Sequence, residues 1–234
     1  MNLEKTNQFK ENLLSSKRML GLLAWYFIGW LFLVPIVVLI IMELTHTTSD
    51  VNLLFFTYLI GVIVAIKLAL PLLKGETKFN AGEAFRTILI GIGLLYLINI
   101  VVGNLISLLT ETNTSSNQEG VQTMFNQNMV LQAIATVIFA PILEELVFRG
   151  VIFRGLRKYG FIFAAIVSGG MFGLMHVFSS LIEGNLADFT YIILYALLGV
   201  VFSKMYEDTH SIYVPIVGHA FYNGLSVLAM FMLR

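Results

Sequence analysis

Residues 129–150, MVLQAIATVIFAPILEELVFRG, begin as a membrane-crossing helix and end with two adjacent glutamates and an arginine. A carboxylate at bilayer depth costs about 2.5–3.5 kcal/mol even on lenient insertion scales, so such residues point to function. The following stretch, GFIFAAIVSGG (160–170), returns to oil. The fold therefore turns on whether this segment is one of several membrane helices carrying polar cargo.

The rest of the chain says that it is. Of 234 residues, 58% are hydrophobic and 12% charged, with a mean hydropathy of +0.86. Soluble domains are nearer 45–50% apolar and 25% charged. The sequence predicts an all-α, polytopic transmembrane helical bundle at the cell membrane. Seven apolar segments can be drawn, near 19–42, 51–73, 87–110, 129–150, 161–178, 189–205 and 212–233, against the roughly 20 residues a spanning helix needs. They are continuously apolar rather than alternating, which excludes a β-barrel. The first is too long for a signal-peptide core and reads as a retained anchor. ETNTSSNQEG (111–120) reads as a loop. Residues 1–128 are expected to be three anchor helices and 129–234 a four-helix catalytic core. Zero net charge gives no basic surface for nucleic acid, and the absence of cysteine excludes disulfides and thiolate metal sites.

Lys5, Lys10, Lys17, Arg18, Lys74, Lys78, Arg86, Arg149, Arg154, Arg157, Lys158 and Lys204 fall at one side, 12 of the 14 basic residues. By the positive-inside rule the N-terminus is cytoplasmic and the C-terminus outside.

On a helix, residues four apart share a face, so Glu145 is expected to pair with Arg149. Glu144 points about 100° away and is free for chemistry. A single structural charge cluster is the competing reading. His176 lies at the far end of the fifth segment, and His219 and Asn223 share a face of the seventh. Glu144 and His176 stand sixteen residues either side of a turn near Gly160, which puts them at equal height in an antiparallel pair. Gly169 and Gly173, in small-xxx-small spacing, allow close helix packing there. A carboxylate and an imidazole can deprotonate water, and a second histidine with an amide can stabilise an oxyanion. Glu144, His176 and His219 equally suit a zinc ion with an open position. The H-E-x-x-H spacing of common zinc proteases is absent.

EELVFR (144–149), FGLMH (172–176) and HAFYN (219–223) together resemble the CPBP family, the CAAX prenyl endopeptidase and bacteriocin-processing group also called Abi. The resemblance covers about residues 125–234. It implies an intramembrane endopeptidase in which Glu144 and His176 activate water and His219 and Asn223 stabilise the oxyanion. Glu145, Arg149 and Phe172 are supporting residues. The family has been read both as metal-dependent and as metal-free; we take the metal-free reading, with zinc on Glu144, His176 and His219 as the alternative. Eukaryotic members are described with eight spans. The short chain resembles bacterial members, associated with peptide-signal maturation, bacteriocin processing and self-immunity. The expected partners are the bilayer and a membrane-associated peptide or protein, entering laterally or from the cytoplasmic side. A non-catalytic scaffold or immunity protein is the alternative function. A transporter is less favoured, because no broken helices recur in matching halves.

Plainer roles suit other polar residues. Lys67 snorkels to the interface, Asn99 and Asn104 make interhelical hydrogen bonds, and His46 and His210 are solvated in loops.

Overall fold

The computed structural model describes residues 13–47 and 49–232 and contains no strand among them. Its helices are α1 (Ser16–Leu44), α2 (Asp50–Gly75), α3 (Ala81–Thr110), α4 (Ser116–Gln127), α5 (Met129–Tyr159), α6 (Phe161–His176), α7 (Phe178–Glu183), α8 (Leu186–Thr209) and α9 (Tyr213–Met232). Six of them, α1, α2, α3, α5, α8 and α9, are long and apolar enough to cross a membrane. Leu33, Ile40, Leu97, Leu108, Ile162 and Phe231 are among the many large side chains left on the outside. In water such a surface is untenable; in lipid it is the natural exterior. The protein is a multi-pass membrane protein.

The fifth expected segment is the exception to the seven-span reading. α6 has 16 residues, about 24 Å at 1.5 Å each. The helix stops at His176 because Val177 leaves helical geometry (φ −115°, ψ 16°), and the chain restarts as the short α7. The expected loop at 111–120 is corrected too. Its second half opens α4, where the Ser115 hydroxyl accepts from Gln118 N and Glu119 sits in the first turn. Both features favour a helix N-terminus. α3 and α8 start earlier than the apolar runs suggest, because Asn80 and Asn185 cap polar first turns. Lys5, Lys10 and Arg234 lie outside the described residues.

α5 is the centre of the bundle. Half of its most apolar window is buried, against 11% for α3, and α2, α6 and α9 pack around it. Leu143, Leu146, Val147, Phe148, Val151 and Phe153 form its share of the core. Gly160, at φ 105°, turns the chain into α6 as the sequence predicts. α6 then lies against α8 so closely that a Cβ on Gly169 would stand 2.6 Å from Ala196 O, and one on Gly173 2.6 Å from Ile192 O. Gly169→Val is therefore expected to cost about 1–3 kcal/mol through overpacking. The check is its thermal midpoint in detergent, beside Gly170→Val, where a Cβ meets nothing within 4 Å.

Two helix-interior prolines leave carbonyls without their usual donors, and side chains supply the missing hydrogens. Pro71 cannot serve Lys67 O, which accepts from Arg18 Nη1 at 3.0 Å. Pro141 produces the second case, inside the site. Lys67 is exposed on α2, eight residues before its last residue, Gly75. Asn99 bridges helices, donating to Tyr222 Oη at 2.8 Å, whereas Asn104 turns back to Ile100 O on its own helix. His46 is exposed, but the ring nitrogens of His210 are enclosed by protein rather than solvated.

At the basic end, Glu76 ties three helices together. Its carboxylate accepts from Arg154, from Tyr206 Oη at 2.7 Å and from Ile212 N at 2.9 Å. Burial pushes the Glu76 carboxyl above its ordinary range, while Arg154 and the hydrogen bonds pull it back.

Candidate active site

The pairing read from spacing is present. Arg149 Nη1 donates to Glu145 Oε1 at 3.1 Å, with both side chains fully enclosed. Its Nη2 donates to Gly199 O on α8 at 2.8 Å, and the guanidinium lies 4.6 Å from the centre of the Phe172 ring. Phe172 thus covers the ion pair as well as the histidine it precedes.

Spacing alone missed the second partner of Glu145. The same Oε1 faces His219 Nδ1 at 2.9 Å. A carboxylate beside an arginine accepts, so Nδ1 carries the proton, and in the neutral ring Nε2 keeps its lone pair. That nitrogen is 4.0 Å from Glu144 Oε2. Two atoms at this separation can both contact one water at about 2.8 Å, with an angle near 90° at its oxygen. Glu144 Oε2 is buried and has no hydrogen-bond partner among the described residues. The glutamates differ as their helical phase predicts: Glu145 is held through Oε1 by Arg149 and His219, although its Oε2 is buried without a partner too, and Glu144 has neither tie.

His176 is held by its own helix and by rings. Its Nδ1 donates to Phe172 O at 2.9 Å, which leaves Nε2 as an acceptor. Tyr195 stacks on it at 4.5 Å and Phe172 lies 4.3 Å away. Phe202 stacks on His219 in the same manner, at 4.5 Å. Both imidazoles thus have one face and one nitrogen fixed, a positioned rather than mobile pair.

Asn223 has an occupation that the motif does not reveal. Residues 135–139 widen into a π-turn, in which Ala140 N bonds Ala135 O. The next carbonyl, Thr136 O, would look to residue 141, a proline with no N–H. Asn223 Nδ2 donates to it at 2.9 Å. One amide hydrogen of Asn223 is therefore structural, and one is left. The sequence signal was Pro141, three residues before Glu144.

Glu144, His176, His219 and Asn223 all line one cavity of about 630 Å³. Its walls also come from the N-terminal half: Tyr58 on α2, Tyr96 and Asn99 on α3, and much of α4. Tyr195 is the residue that sequence reasoning overlooked, having no motif of its own. Besides stacking on His176, its hydroxyl pairs with Ser115 Oγ at 2.6 Å, at the cap of α4. Tyr195→Phe keeps the stack and loses that tether, whereas Tyr195→Ala loses both. The expected order of catalytic loss is alanine well beyond phenylalanine, read from kcat/KM at matched thermal midpoints.

The zinc set does not fit this geometry. Among the described residues no three His, Asp or Glu side chains converge as ligands to one ion. Glu145 on His219 Nδ1 leaves Nε2 open to a ligand role, but Glu144 stands 4.0 Å from Nε2. Ligands 2.0–2.1 Å from one tetrahedral ion lie about 3.4 Å apart.

Comparison with known proteins meets this geometry at the same residues. Residues 126–225 match the model of the Rce1-like family, the type II CAAX prenyl endopeptidases. The likeness is to this part of the chain, under half of its length. The family region begins just before α5 and ends just after Asn223, so it contains all four of the motif residues above. Among curated relatives, a Bacillus subtilis protein named as a membrane peptidase, YdiL, is 36% identical over 44% of this chain and 38% of its own length. The membrane-embedded CAAX protease MroQ of Staphylococcus aureus is 28% identical over 80% of this chain and 75% of its own. The chain thus spans less than half of the first relative and three quarters of the second. No solved structure matches.

Proposed function

We propose that this chain is an intramembrane endopeptidase that hydrolyses a peptide bond in a membrane-associated peptide or protein. The observation that carries the reading is Glu144: a buried carboxylate with an unpartnered oxygen, beside two fixed imidazoles in one cavity. The match of residues 126–225 to the Rce1-like family model, and similarity to proteins named as membrane peptidase and protease, support it.

In this reading Glu144 and His176, which line one cavity, activate a water whose position before attack also lies within reach of His219 Nε2. The water oxygen attacks the peptide carbonyl carbon, and its proton passes to Glu144. The carbonyl oxygen becomes the oxyanion, facing His219 and the free N–H of Asn223. His219 Nε2 donates only when the ring is protonated, and the Glu145 carboxylate on Nδ1 supports that imidazolium as an orienting acid does in a hydrolase triad. Glu144 then returns its proton to the leaving amine as the C–N bond breaks. The scheme is proposed without a metal. The proposed substrates in a bacterial setting are peptide signals or bacteriocins, for maturation or self-immunity.

The test is cleavage of quenched, membrane-anchored peptides by purified protein, with metal content read on the same sample. Cleavage that persists in metal-free protein after chelation supports the whole scheme. A requirement for stoichiometric zinc overturns the metal-free step. No cleavage difference between wild type and a folded Glu144 variant on any peptide favours the scaffold reading.

A further inference from the structure

The reacting residues lie at mid-depth, but the space around them is one-sided. Glu144 is fifteen residues from either end of α5, about 22 Å from each. On the side toward Lys74, Arg157 and Lys204, the bundle is filled. Arg149, Phe148, Phe153, Phe202 and Tyr206 are all buried there, with the Glu76–Arg154 pair beneath them. On the other side the cavity continues past Gln132 and Thr136 on α5, Tyr195 on α8 and Ser226 on α9, to the loop and helix at 113–124. Asn113 and Gly120, at that end, are exposed.

The lining has a consistent chemistry. Glu144 is its one Asp, Glu, Lys or Arg. The walls instead offer amides and hydroxyls, among them Asn99, Asn113, Asn117, Gln118 and Gln132, with leucines between. Amides and hydroxyls pair with the N–H and C=O groups of an extended chain, whereas an acidic side chain would find no counter-ion in this space and a basic one only Glu144.

We propose that substrate reaches Glu144 from the end of the bundle opposite the basic residues, and that the segment admitted is an uncharged stretch of peptide. Because the basic residues face the cytoplasm under the positive-inside rule, this end is the extracytoplasmic one. The proposed route differs from the lateral or cytoplasmic entry expected from the sequence. A volume of about 630 Å³ suits a few residues of extended chain, within the 300–1,000 Å³ of ordinary ligand pockets. What travels along the route rests on the protease reading above; the route itself does not.

The chain has no cysteine, so single cysteines report on it directly. Glu119→Cys marks the exposed face of α4, Ser226→Cys the cavity, and Lys74→Cys the basic end. Each is expressed in intact bacteria and treated with a membrane-impermeant maleimide. Glu119→Cys and Ser226→Cys are expected to react from outside at least about tenfold faster than Lys74→Cys, equivalent to some 1.4 kcal/mol of barrier. A synthetic decapeptide of Ser, Asn, Gln and Leu, added outside, should slow labelling of Ser226→Cys, and the same peptide with central aspartates should not. Labelling of Ser226→Cys only after permeabilisation, or of Lys74→Cys alone from outside, overturns the route. Equal protection by both peptides overturns the uncharged-segment assignment. Labelling requires no cleavage, so a protein that labels as expected yet cuts nothing sinks the protease reading while supporting the route.

Discussion

Glu144→Gln is expected to lose about 10²–10⁴-fold in kcat/KM, the range a general base supplies, while its thermal midpoint in detergent stays level or rises. The two halves of this result come from one feature. Glu144 Oε2 is buried without a hydrogen-bond partner, so the amide forfeits no bond, and a desolvated carboxylate is removed from an apolar bundle. Glutamine keeps the shape and loses the basicity. If Glu144 were instead one member of a structural charge cluster, the same change would lower the midpoint and leave turnover of the surviving fold intact. The pair of readouts therefore separates the catalytic role from the structural one.

Arg149→Met should behave in the opposite way. It leaves Glu145 as a buried charge without its cation and removes one donor from Gly199 O, which keeps Ser203 Oγ, for an expected loss of about 3–5 kcal/mol. The midpoint should fall by many degrees, before any question of activity. Glu145→Gln combined with Arg149→Met should recover part of that loss, because both charges are then gone; a double-mutant cycle measures the coupling. Glu145→Gln alone should also misplace His219, whose Nδ1 it holds. Its activity defect should thus exceed what its stability predicts. Independent, additive effects of the two substitutions would show that the ion pair is not the strut described above.

The sequence is legible where chemistry is unusual for its surroundings. Two glutamates, an arginine and two histidines in oil are costly, so their pairing by helical phase and their common depth could be argued from spacing. Close packing at Gly169 and Gly173 was equally readable, since only small residues permit it, but that α8 is the neighbour was not. Helix ends were not, because capping by Asn80, Ser115 and Asn185 is decided by single polar residues just outside the apolar runs. α4 was lost to the same cause: a polar helix at a membrane surface has no apolar stripe long enough to show. The acceptor of Asn223 depended on a π-turn, and the double engagement of Glu145 on the angle between α5 and α9. Neither leaves a periodic trace. Tyr195 was hidden for the plainest reason, that one tyrosine among nine carries no signal until something is seen stacked on it.

The brevity of α6 has a consequence for the lipid itself. Its 16 residues reach about 24 Å, some 6 Å less than a typical hydrocarbon core. Ile162, Phe163 and Ile166 are exposed along it, so lipid chains meet this helix directly. Hydrophobic mismatch of that size is relieved by local thinning, which carries the headgroup region and its water toward His176. The bilayer then acts as part of the hydration path to the site. Turnover should accordingly fall as acyl chains are lengthened in reconstituted vesicles, with the protein and peptide unchanged. In thin membranes the enzyme would be wet at its reacting end; in thick ones it would be starved of its co-substrate, water.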